Sequence, residues 1–266
     1  MPHVKLMQKQ KINFLRTEKI WYNDIIKAKE KIKMYYVTSD LHGCPADKFL
    51  SLLDKAGFGS NDYLFVLGDV IDRGEDGIKL LKWIISQPNV ELILGNHEVM
   101  MFANRFLIDE ISERSIGDLK AHNLVAFTDW MSNGGDVTLE ALKILHDSER
   151  KYIFRHLEEC PLYLYFTLNG QKFILTHSGF GNFSPDKDLE EYSMNDLVWH
   201  RPEITERFYE DAITIFGHTP TLFYGEEFKG KAIKTDTWIN IDTGAAMGLS
   251  PMLLRLDDMQ EFYIDN

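Results

Sequence analysis

The segment YLFVLGDVIDRG, residues 63–74, decides the fold class of this chain. Its first five residues form an apolar run that is typical of a buried strand, and the polar GDVIDRG follows where an α/β protein places functional loops. Four other apolar runs end in short polar segments in the same way. Those segments are DLHG at 40–43, GNHE at 95–98, THSG at 176–179 and GHT at 217–219. The pattern predicts a sheet with functional loops at the carboxyl ends of its strands.

The polar segments are spaced so that they can meet. Asp40 to Asp69 and Asp69 to Asn96 each span about 30 residues, the length of one strand–helix–strand unit. Helical patterns fill both gaps, at 45–56 and at 77–86. Because loops at the carboxyl ends of strands converge on one crevice, we expect a dinuclear metal site there. Its predicted ligands are Asp40, His42, Asp69, Asn96, His177 and His218.

These motifs resemble those of the metal-dependent phosphoprotein phosphatases, which belong to the calcineurin-like metallophosphoesterase superfamily. The bacterial and phage branch is the most similar, and the resemblance runs from about Met34 to the C-terminus. The fold we predict is an α/β sandwich of two mixed sheets flanked by helices, in the order α/β/β/α. Its C-terminal strands are expected to be antiparallel, at Trp238–Asp242, Met252–Leu256 and Glu261–Ile264.

The ligand types indicate a catalytic pair of ions. Carboxylate, imidazole and amide oxygen suit Mn²⁺, Fe or Zn²⁺, and the lack of thiolates at these positions disfavours a structural zinc site. One carboxylate can span two ions, and Asp69 is the candidate bridge. The resemblance implies these ligands: Asp40, His42 and Asp69 for the first ion, and Asp69, Asn96, His177 and His218 for the second. The predicted cofactor is two divalent ions per chain, Mn²⁺ first, with Fe or Zn²⁺ as alternatives.

The expected chemistry is direct attack on phosphorus by a water or hydroxide that bridges the two ions. The leaving oxygen then needs a proton, for which His97 resembles the general acid and Asp72 the carboxylate that orients it. Negative charge on the phosphoryl oxygens calls for guanidinium forks. Arg73 and, from the VWHR segment at 198–201, Arg201 are the candidates, and Asn96 is assigned to phosphate as well as to metal.

Other polar residues near the motifs are expected to be structural. We expect Glu98 to hold its loop rather than to react, and we expect the same of Asp242 in NIDTG. Cys44 beside the DLHG motif is interpreted as a buried, inert thiol, although a redox-sensing role is the alternative. Histidines outside the five motifs, such as His200, are expected to have no role in the chemistry.

The predicted function is hydrolysis of phosphomonoesters, first of all phosphoserine or phosphothreonine in proteins. The alternative is a diadenosine tetraphosphate hydrolase of the same superfamily, which shares most motifs. Glu98 of GNHE favours the phosphatase, because that relative usually has Asp there. A third hypothesis, a non-catalytic phosphopeptide-binding module, is weakened because every expected ligand, acid and arginine is present.

Length and composition favour one catalytic domain. The chain has 266 residues, of which 44% are hydrophobic, and no linker or repeat divides it. We predict a basic N-terminal arm at 1–33, a metallophosphoesterase domain at 34–266 and a helical cap inserted at about 100–160. In that insertion, Trp130 and the glycines of NGG at 133–135 resemble the bacterial branch, with a helix expected to begin at Asp136.

Charge and cysteine content bound the partners and the compartment. The formal net charge is −12, and residues 1–34 carry nine Lys or Arg against three Asp or Glu. An acidic body repels a phosphate backbone, so we expect no general nucleic-acid binding. No apolar stretch of about 18 residues and no secretory signal is evident, and only two cysteines are present, so no membrane association and a cytoplasmic location are expected. The partner is expected to be a phosphorylated protein or a small phosphoester.

Overall fold

Two five-stranded sheets pack face to face in this computed structural model, which describes residues 32–106 and 121–264, excepting the side chains of 121–123. The predicted N-terminal arm lies outside these residues as far as Lys31. The strands are β1 (Tyr35–Thr38), β2 (Tyr63–Val66), β3 (Val90–Leu92), β4 (Tyr163–Leu168), β5 (Gln171–Thr176), β6 (Ile213–Phe216), β7 (Ile233–Lys234), β8 (Trp238–Asn240), β9 (Met252–Arg255) and β10 (Gln260–Tyr263). The first sheet has the order β10-β9-β1-β2-β3 and the second β4-β5-β6-β8-β7.

Seven helices are described, and most pack outside the sheets. They are α1 (Ala46–Ala56), α2 (Gly77–Ser86), α3 (Asn96–Ala103), α4 (Ala121–Ser132), α5 (Asp136–Lys143), α6 (Asp147–Glu159) and α7 (Met194–Val198). The two predicted crossover helices are present, and α1 ends where expected, because Gly57 adopts the left-handed conformation and its N–H bonds the Leu53 and Asp54 carbonyls. No helix in the described ranges is both long and apolar enough to cross a membrane.

Alternation along the strands builds two layers of core. In β1, Tyr35 and Val37 face the second sheet while Tyr36 faces the helices. Between the sheets, Phe65 of β2 stacks on Phe166 of β4 with ring centroids 5.2 Å apart. Strands buried on both faces explain the continuous apolar runs in the sequence. The predicted two-sheet α/β sandwich is therefore confirmed.

One part of the strand prediction is wrong. The run Trp238–Asp242 was expected to be antiparallel, but β8 pairs in parallel with β6, and only the two-residue strand β7 is antiparallel to it. The connection from β6 to β8 is long enough for a crossover, which a parallel pair requires. An apolar run predicts burial but does not fix strand direction. The other two C-terminal strands, β9 and β10, form the antiparallel hairpin that was expected.

The helical stretch predicted at about 100–160 contains α4, α5 and α6 in its described part. Helix α4 packs on α3, while α5 and α6 pack on α2, so these three helices lie on the outer side of the first sheet. We call α4–α6, residues 121–159, the helical cap. It lies next to the loop that follows β2, which places it beside the site described below.

Candidate metal centre

The loops after β1, β2, β3, β5 and β6 bring the predicted ligands together. All six side chains are at most 6% exposed, although up to 178 residues separate them in sequence. They are Asp40, His42, Asp69, Asn96, His177 and His218. The convergence expected from strand order is thus present in the structure.

A first cluster surrounds one face of Asp69. His42 Nε2 lies 3.5 Å from Asp69 Oδ2 and 3.9 Å from Asp40 Oδ1. His97 Nε2 lies 3.8 Å from the same Asp69 oxygen. His42, Asp69 and His97 form one of two groups whose potential ligand atoms all lie within 4.8 Å of one another, so His97 approaches the centre more closely than the sequence indicated.

A second cluster shares the Asp69 carboxylate. His177 Nε2 lies 3.4 Å from Asp69 Oδ2 and 2.9 Å from Asn96 Oδ1. His218 Nδ1 lies 2.8 Å from the same amide oxygen. Asp69, His177 and His218 together could hold an ion. Asp69 belongs to both clusters, which is the position that a bridging carboxylate requires.

Backbone carbonyls fix two of the imidazoles. His177 Nδ1 lies 2.6 Å from the Leu67 carbonyl, and His42 Nδ1 lies 3.2 Å from the Ile71 carbonyl. A protonated Nδ1 that donates to a carbonyl leaves Nε2 with a lone pair facing the centre. Both rings are therefore oriented as metal-binding histidines are.

The electrostatics of the cluster centre on Asp69. Burial raises the pKa of Asp40 to about 6 and lowers the pKa of His42 to about 3. Burial also acts to raise the pKa of Asp69, but His177 and His97 hold it well below its usual value. For His177, burial lowers the pKa, and the Asp69 charge outweighs it and raises the pKa to about 10. A fixed negative charge therefore lies between the two clusters.

Strained backbone accompanies these residues. Of the nine non-glycine residues with positive φ in the described part of the chain, six belong to the loops of the centre. They are Asp40, His42, Asp69, Asp72, Arg73 and His218. The left-handed region is unfavourable for side chains with a Cβ, and such residues gather at functional sites.

His97 and Asp72 form the predicted pair. His97 Nδ1 lies 2.6 Å from Asp72 Oδ2, and both residues are at most 1% exposed. Burial lowers the pKa of His97, but the charges of Asp69 and Asp72 together raise it above its usual value. Arg73 Nη2 lies 3.2 Å from His97 Nε2, a bond that requires neutral imidazole. When Nε2 gains a proton it becomes a donor, and the guanidinium must turn toward another acceptor.

Three further residues considered in the sequence analysis, Arg201, Asp242 and Cys44, lie outside the two clusters of potential ligands. Arg201 is exposed, and its Nη1 is 3.3 Å from the His218 carbonyl and from Thr219 Oγ1. Asp242 accepts the N–H of Gly244 within its own loop. Burial raises the pKa of the Cys44 thiol to about 12, so it stays protonated at neutral pH.

Glu98 joins the loop after β2 to the loop after β3 through hydrogen bonds. Its two carboxylate oxygens accept the backbone N–H groups of Asp69 at 2.8 Å, Val70 at 2.9 Å and Gly95 at 3.0 Å. The side chain is fully buried, and burial raises its pKa to about 7. The expected loop-holding contacts are present. Because Glu98 is buried beneath the loops, its identity is a weak guide to substrate.

Sequence reasoning singled out Trp130 and Thr138 of the helical cap by their resemblance to the bacterial branch, but it did not predict that both contact Asp72. Trp130 Nε1 donates to Asp72 Oδ2 at 2.9 Å, and Thr138 Oγ1 accepts the Asp72 N–H at 2.9 Å. The sequence indicated the turn between them, and Gly134 does adopt φ +88°. A fully buried indole N–H needs a hydrogen-bond acceptor, and this need was the available signal. The acceptor, Asp72, could not be identified from the sequence because it lies 58 residues away.

A cleft of about 580 Å³ opens beside the first cluster. Its lining includes His42 and Arg73 of the centre, Lys48 near the start of α1, and Ala245, Ala246, Gly248 and Leu249 of the loop after β8. No described residue of 100–160 lines it. Among the described residues, the loop after β8 rather than the helical cap bounds this cleft.

A two-sheet α/β fold with two His/Asp clusters that share one carboxylate defines a metal-dependent phosphoesterase. The chain belongs to the calcineurin-like phosphoesterase family, whose model matches residues 34–242. The superfamily indicated by the five motifs is therefore confirmed.

Curated relatives of this chain are named as symmetrical bis(5′-nucleosyl)-tetraphosphatases. The symmetrical bis(5′-nucleosyl)-tetraphosphatase of Buchnera aphidicola subsp. Acyrthosiphon pisum is 32% identical over 130 residues. That alignment covers 47% of this chain and 44% of the relative, so the chain spans less than half of the relative's length. The relative is the alternative of the sequence analysis, not the phosphoprotein phosphatase branch.

Solved structures of proteins named for different substrates share their fold with this chain. A proposed diadenosine tetraphosphatase superimposes with a TM-score of 0.61 at 13% identity, covering 88% of this chain and 94% of its own. A protein serine/threonine phosphatase from Saccharomyces cerevisiae superimposes with a TM-score of 0.54 at 14% identity, covering 89% of this chain and 82% of its own. At these identities the likeness shows the fold alone.

Proposed function

We propose that this chain hydrolyses a phosphoric ester or anhydride at two divalent ions. One observation carries the proposal. Asp69 Oδ2 lies 3.5 Å from His42 Nε2 of one cluster and 3.4 Å from His177 Nε2 of the other, as a ligand shared by two ions would need. Two divalent ions held by these residues would supply a clamp for an in-line displacement at phosphorus and an activated water as nucleophile.

The donor set fits such ions. Asp40 Oδ2 accepts the Ser39 hydroxyl and the His218 N–H, but the buried Oδ1 has no hydrogen-bond partner. Leaving a buried carboxylate oxygen unpaired is costly, and a cation would satisfy Asp40 Oδ1. In the second cluster, His218 Nδ1 faces the other potential ligands, 2.8 Å from Asn96 Oδ1. We assign Asp40, His42 and Asp69 to one ion, and Asp69, Asn96, His177 and His218 to the other.

The remaining polar residues would handle the proton and the phosphoryl charge. His97 would donate a proton from Nε2 to the leaving oxygen, while Asp72 holds its Nδ1 and fixes the ring. Arg73 and Arg201, both exposed at the edge of the centre, would bind phosphoryl oxygens. Arg73 would exchange its contact with His97 for one with the phosphoryl group, which frees Nε2 to carry the acidic proton.

For the substrate we propose a bis(5′-nucleosyl) tetraphosphate first. The curated relative supports this choice, and so does the cleft whose lining includes His42 and Arg73. Its volume falls in the range of sites that hold small molecules, roughly 300–1,000 Å³. Lys48 offers charge to a second phosphate, and Ala245 and Leu249 offer apolar surface to a base.

A second candidate, phosphoserine or phosphothreonine in proteins, is favoured by the His97–Asp72 pair. A serine alkoxide is a strong base and needs a proton to leave, whereas a nucleotide leaves an anhydride as a weakly basic phosphate. A buried general acid is therefore of most use to a monoesterase.

One panel in Mn²⁺ tests these proposals. It compares kcat/KM for diadenosine tetraphosphate, phosphoserine and phosphothreonine peptides, an aryl phosphate and a bis-aryl phosphate. We expect kcat/KM for the tetraphosphate to be the highest by tenfold or more. We expect Lys48→Gln to lower kcat/KM for the tetraphosphate without changing kcat/KM for the aryl phosphate. Lys143→Gln, an exposed lysine on α5, is the matched control. If kcat/KM for the phosphopeptides is the highest by tenfold, the second candidate is selected. If no compound of the panel is turned over, both candidates are refuted.

A further inference from the structure

The carboxylate of Asp72 is shared between His97 and the helical cap. Asp72 Oδ2 receives two hydrogen bonds, from His97 Nδ1 at 2.6 Å and from Trp130 Nε1 at 2.9 Å. Asp72 and Trp130 are both fully buried, so water does not substitute for either donor. Asp72 Oδ1 has no partner among the described atoms. The indole N–H and the imidazole therefore fix the direction of the carboxylate together.

The helical cap also fixes the backbone beneath that carboxylate. The N–H of Asp72 donates to Thr138 Oγ1 at 2.9 Å, and the N–H of Arg73 donates to the Gly134 carbonyl at 2.9 Å. Asp72 and Arg73 have φ values of +68° and +70°, a conformation that surrounding contacts must maintain. Thr138 is 2% exposed, so its hydroxyl forms part of a buried network.

Close packing holds Trp130 in this position. A Cβ added to Gly135 would lie 2.4 Å from Trp130 Nε1, and one added to Gly134 would lie 2.8 Å from Arg73 Cγ. The glycine pair thus lets the turn between α4 and α5 approach both the indole and the arginine. The helical cap contacts the loop after β2 through a carboxylate, two N–H groups and this turn.

We infer that Trp130 is a positioning residue, which acts on His97 through Asp72 and couples the helical cap to proton donation. This inference rests on the proposed function, because it assumes that His97 protonates a leaving group. Without the indole N–H, the carboxylate keeps one strong donor and can rotate, so the imidazole loses its fixed direction. The indole N–H is the one hydrogen-bonding group of the Trp130 side chain and it donates to Asp72, so the residues assigned to metal and phosphate keep their own hydrogen bonds.

The test is the dependence of rate on the leaving group. Trp130→Phe and wild-type protein are compared on aryl phosphates whose phenols range from strongly to weakly acidic, and on a phosphoserine peptide. We expect kcat for the peptide and the least acidic phenols to fall by on the order of tenfold to hundredfold, the range that a hydrogen bond to a charged group supports. The most activated ester should change little, and KM should stay within about twofold on all esters, since no binding contact is lost.

Trp238→Phe is the matched control. Trp238 is also fully buried, and its Nε1 donates to the Glu206 carbonyl at 2.9 Å, in the second sheet and away from Asp72. Trp238→Phe removes the same chemical group, so this control reports the general effect of a damaged core. We expect it to lower kcat by the same factor on all esters. If kcat of Trp130→Phe depends on the leaving group no more than kcat of the control, the inference is overturned.

A double-mutant cycle tests whether Trp130 acts through His97. In a His97→Asn background, Trp130→Phe should cost nothing further, because no acid remains to be positioned. Additive losses would contradict the inference. If Trp130→Phe fails to fold, Thr138→Val, which removes the acceptor of the Asp72 N–H, must show the same dependence on leaving group, or the inference is wrong. Failure of the wild type to hydrolyse any ester would instead refute the proposed function, so the two failures are distinguishable.

Discussion

Replacing Glu98 with Asp separates the structural role of this residue from a role in substrate choice. Glu98 Oε2 accepts the N–H groups of Asp69 and Gly95, and Oε1 accepts that of Val70. Asp is shorter by one methylene and cannot keep all three bonds. At least one buried N–H then loses its partner, at a cost of about 1–3 kcal/mol. The lost methylene adds about 0.8 kcal/mol, so we expect a loss of about 2–4 kcal/mol in the free energy of unfolding.

Urea unfolding measures this loss, with Glu140→Asp as the control. Glu140 lies on α5 with its side chain 70% exposed, and exposed substitutions of this kind usually change stability by less than about 0.5 kcal/mol. The ratio of kcat/KM for diadenosine tetraphosphate over a phosphoserine peptide should stay within about threefold of wild type, because Glu98 is fully buried beneath the loops. A tenfold change in that ratio at unchanged stability would refute this reasoning and restore Glu98 as a determinant of substrate.

Three further predictions address the chemistry. His97→Asn should lower kcat on a phosphoserine peptide by roughly 10²–10⁴ and on an activated aryl phosphate by less, because general-acid help is worth about that much; equal losses in steady-state assays would argue that His97 only shapes the site. Arg201→Ala should raise KM and lower kcat/KM, with Arg201→Lys restoring part of the loss because Lys lacks the planar fork; unchanged kinetics would make Arg201 a surface residue. A chelator should abolish activity, and Mn²⁺ should restore it better than Mg²⁺, which nitrogen ligands do not suit; active protein without any transition metal by elemental analysis would contradict this.

The sequence predicted best what depends on local pattern. Helix α1 has its predicted end because Gly57 can adopt a left-handed conformation, and α2 spans the predicted residues 77–86. The convergence of Asp40, Asp69 and Asn96 followed from strand order, which is a local consequence of repeated strand–helix units.

What depends on long-range packing was beyond prediction. The direction of β8 is set by its pairing with β6, and the residues Trp238–Asn240 alone do not determine whether that pairing is parallel or antiparallel. The bond from Trp130 to Asp72 joins two elements 58 residues apart, and only the docking of the helical cap brings them together. The close approach of His97 to the first cluster likewise depends on its ring orientation rather than on its place in GNHE.

The close approach of the loops after β1 and β2 has a consequence for protein engineering. A Cβ on Gly43 would lie 2.2 Å from the Gly74 carbonyl oxygen, and one on Gly74 would lie 2.2 Å from the Gly43 oxygen. The two backbones therefore interlock, and neither can be exchanged while the other keeps its path. A chimera between relatives must import DLHG and GDVIDRG as one unit, and a randomised library should leave both glycines unchanged.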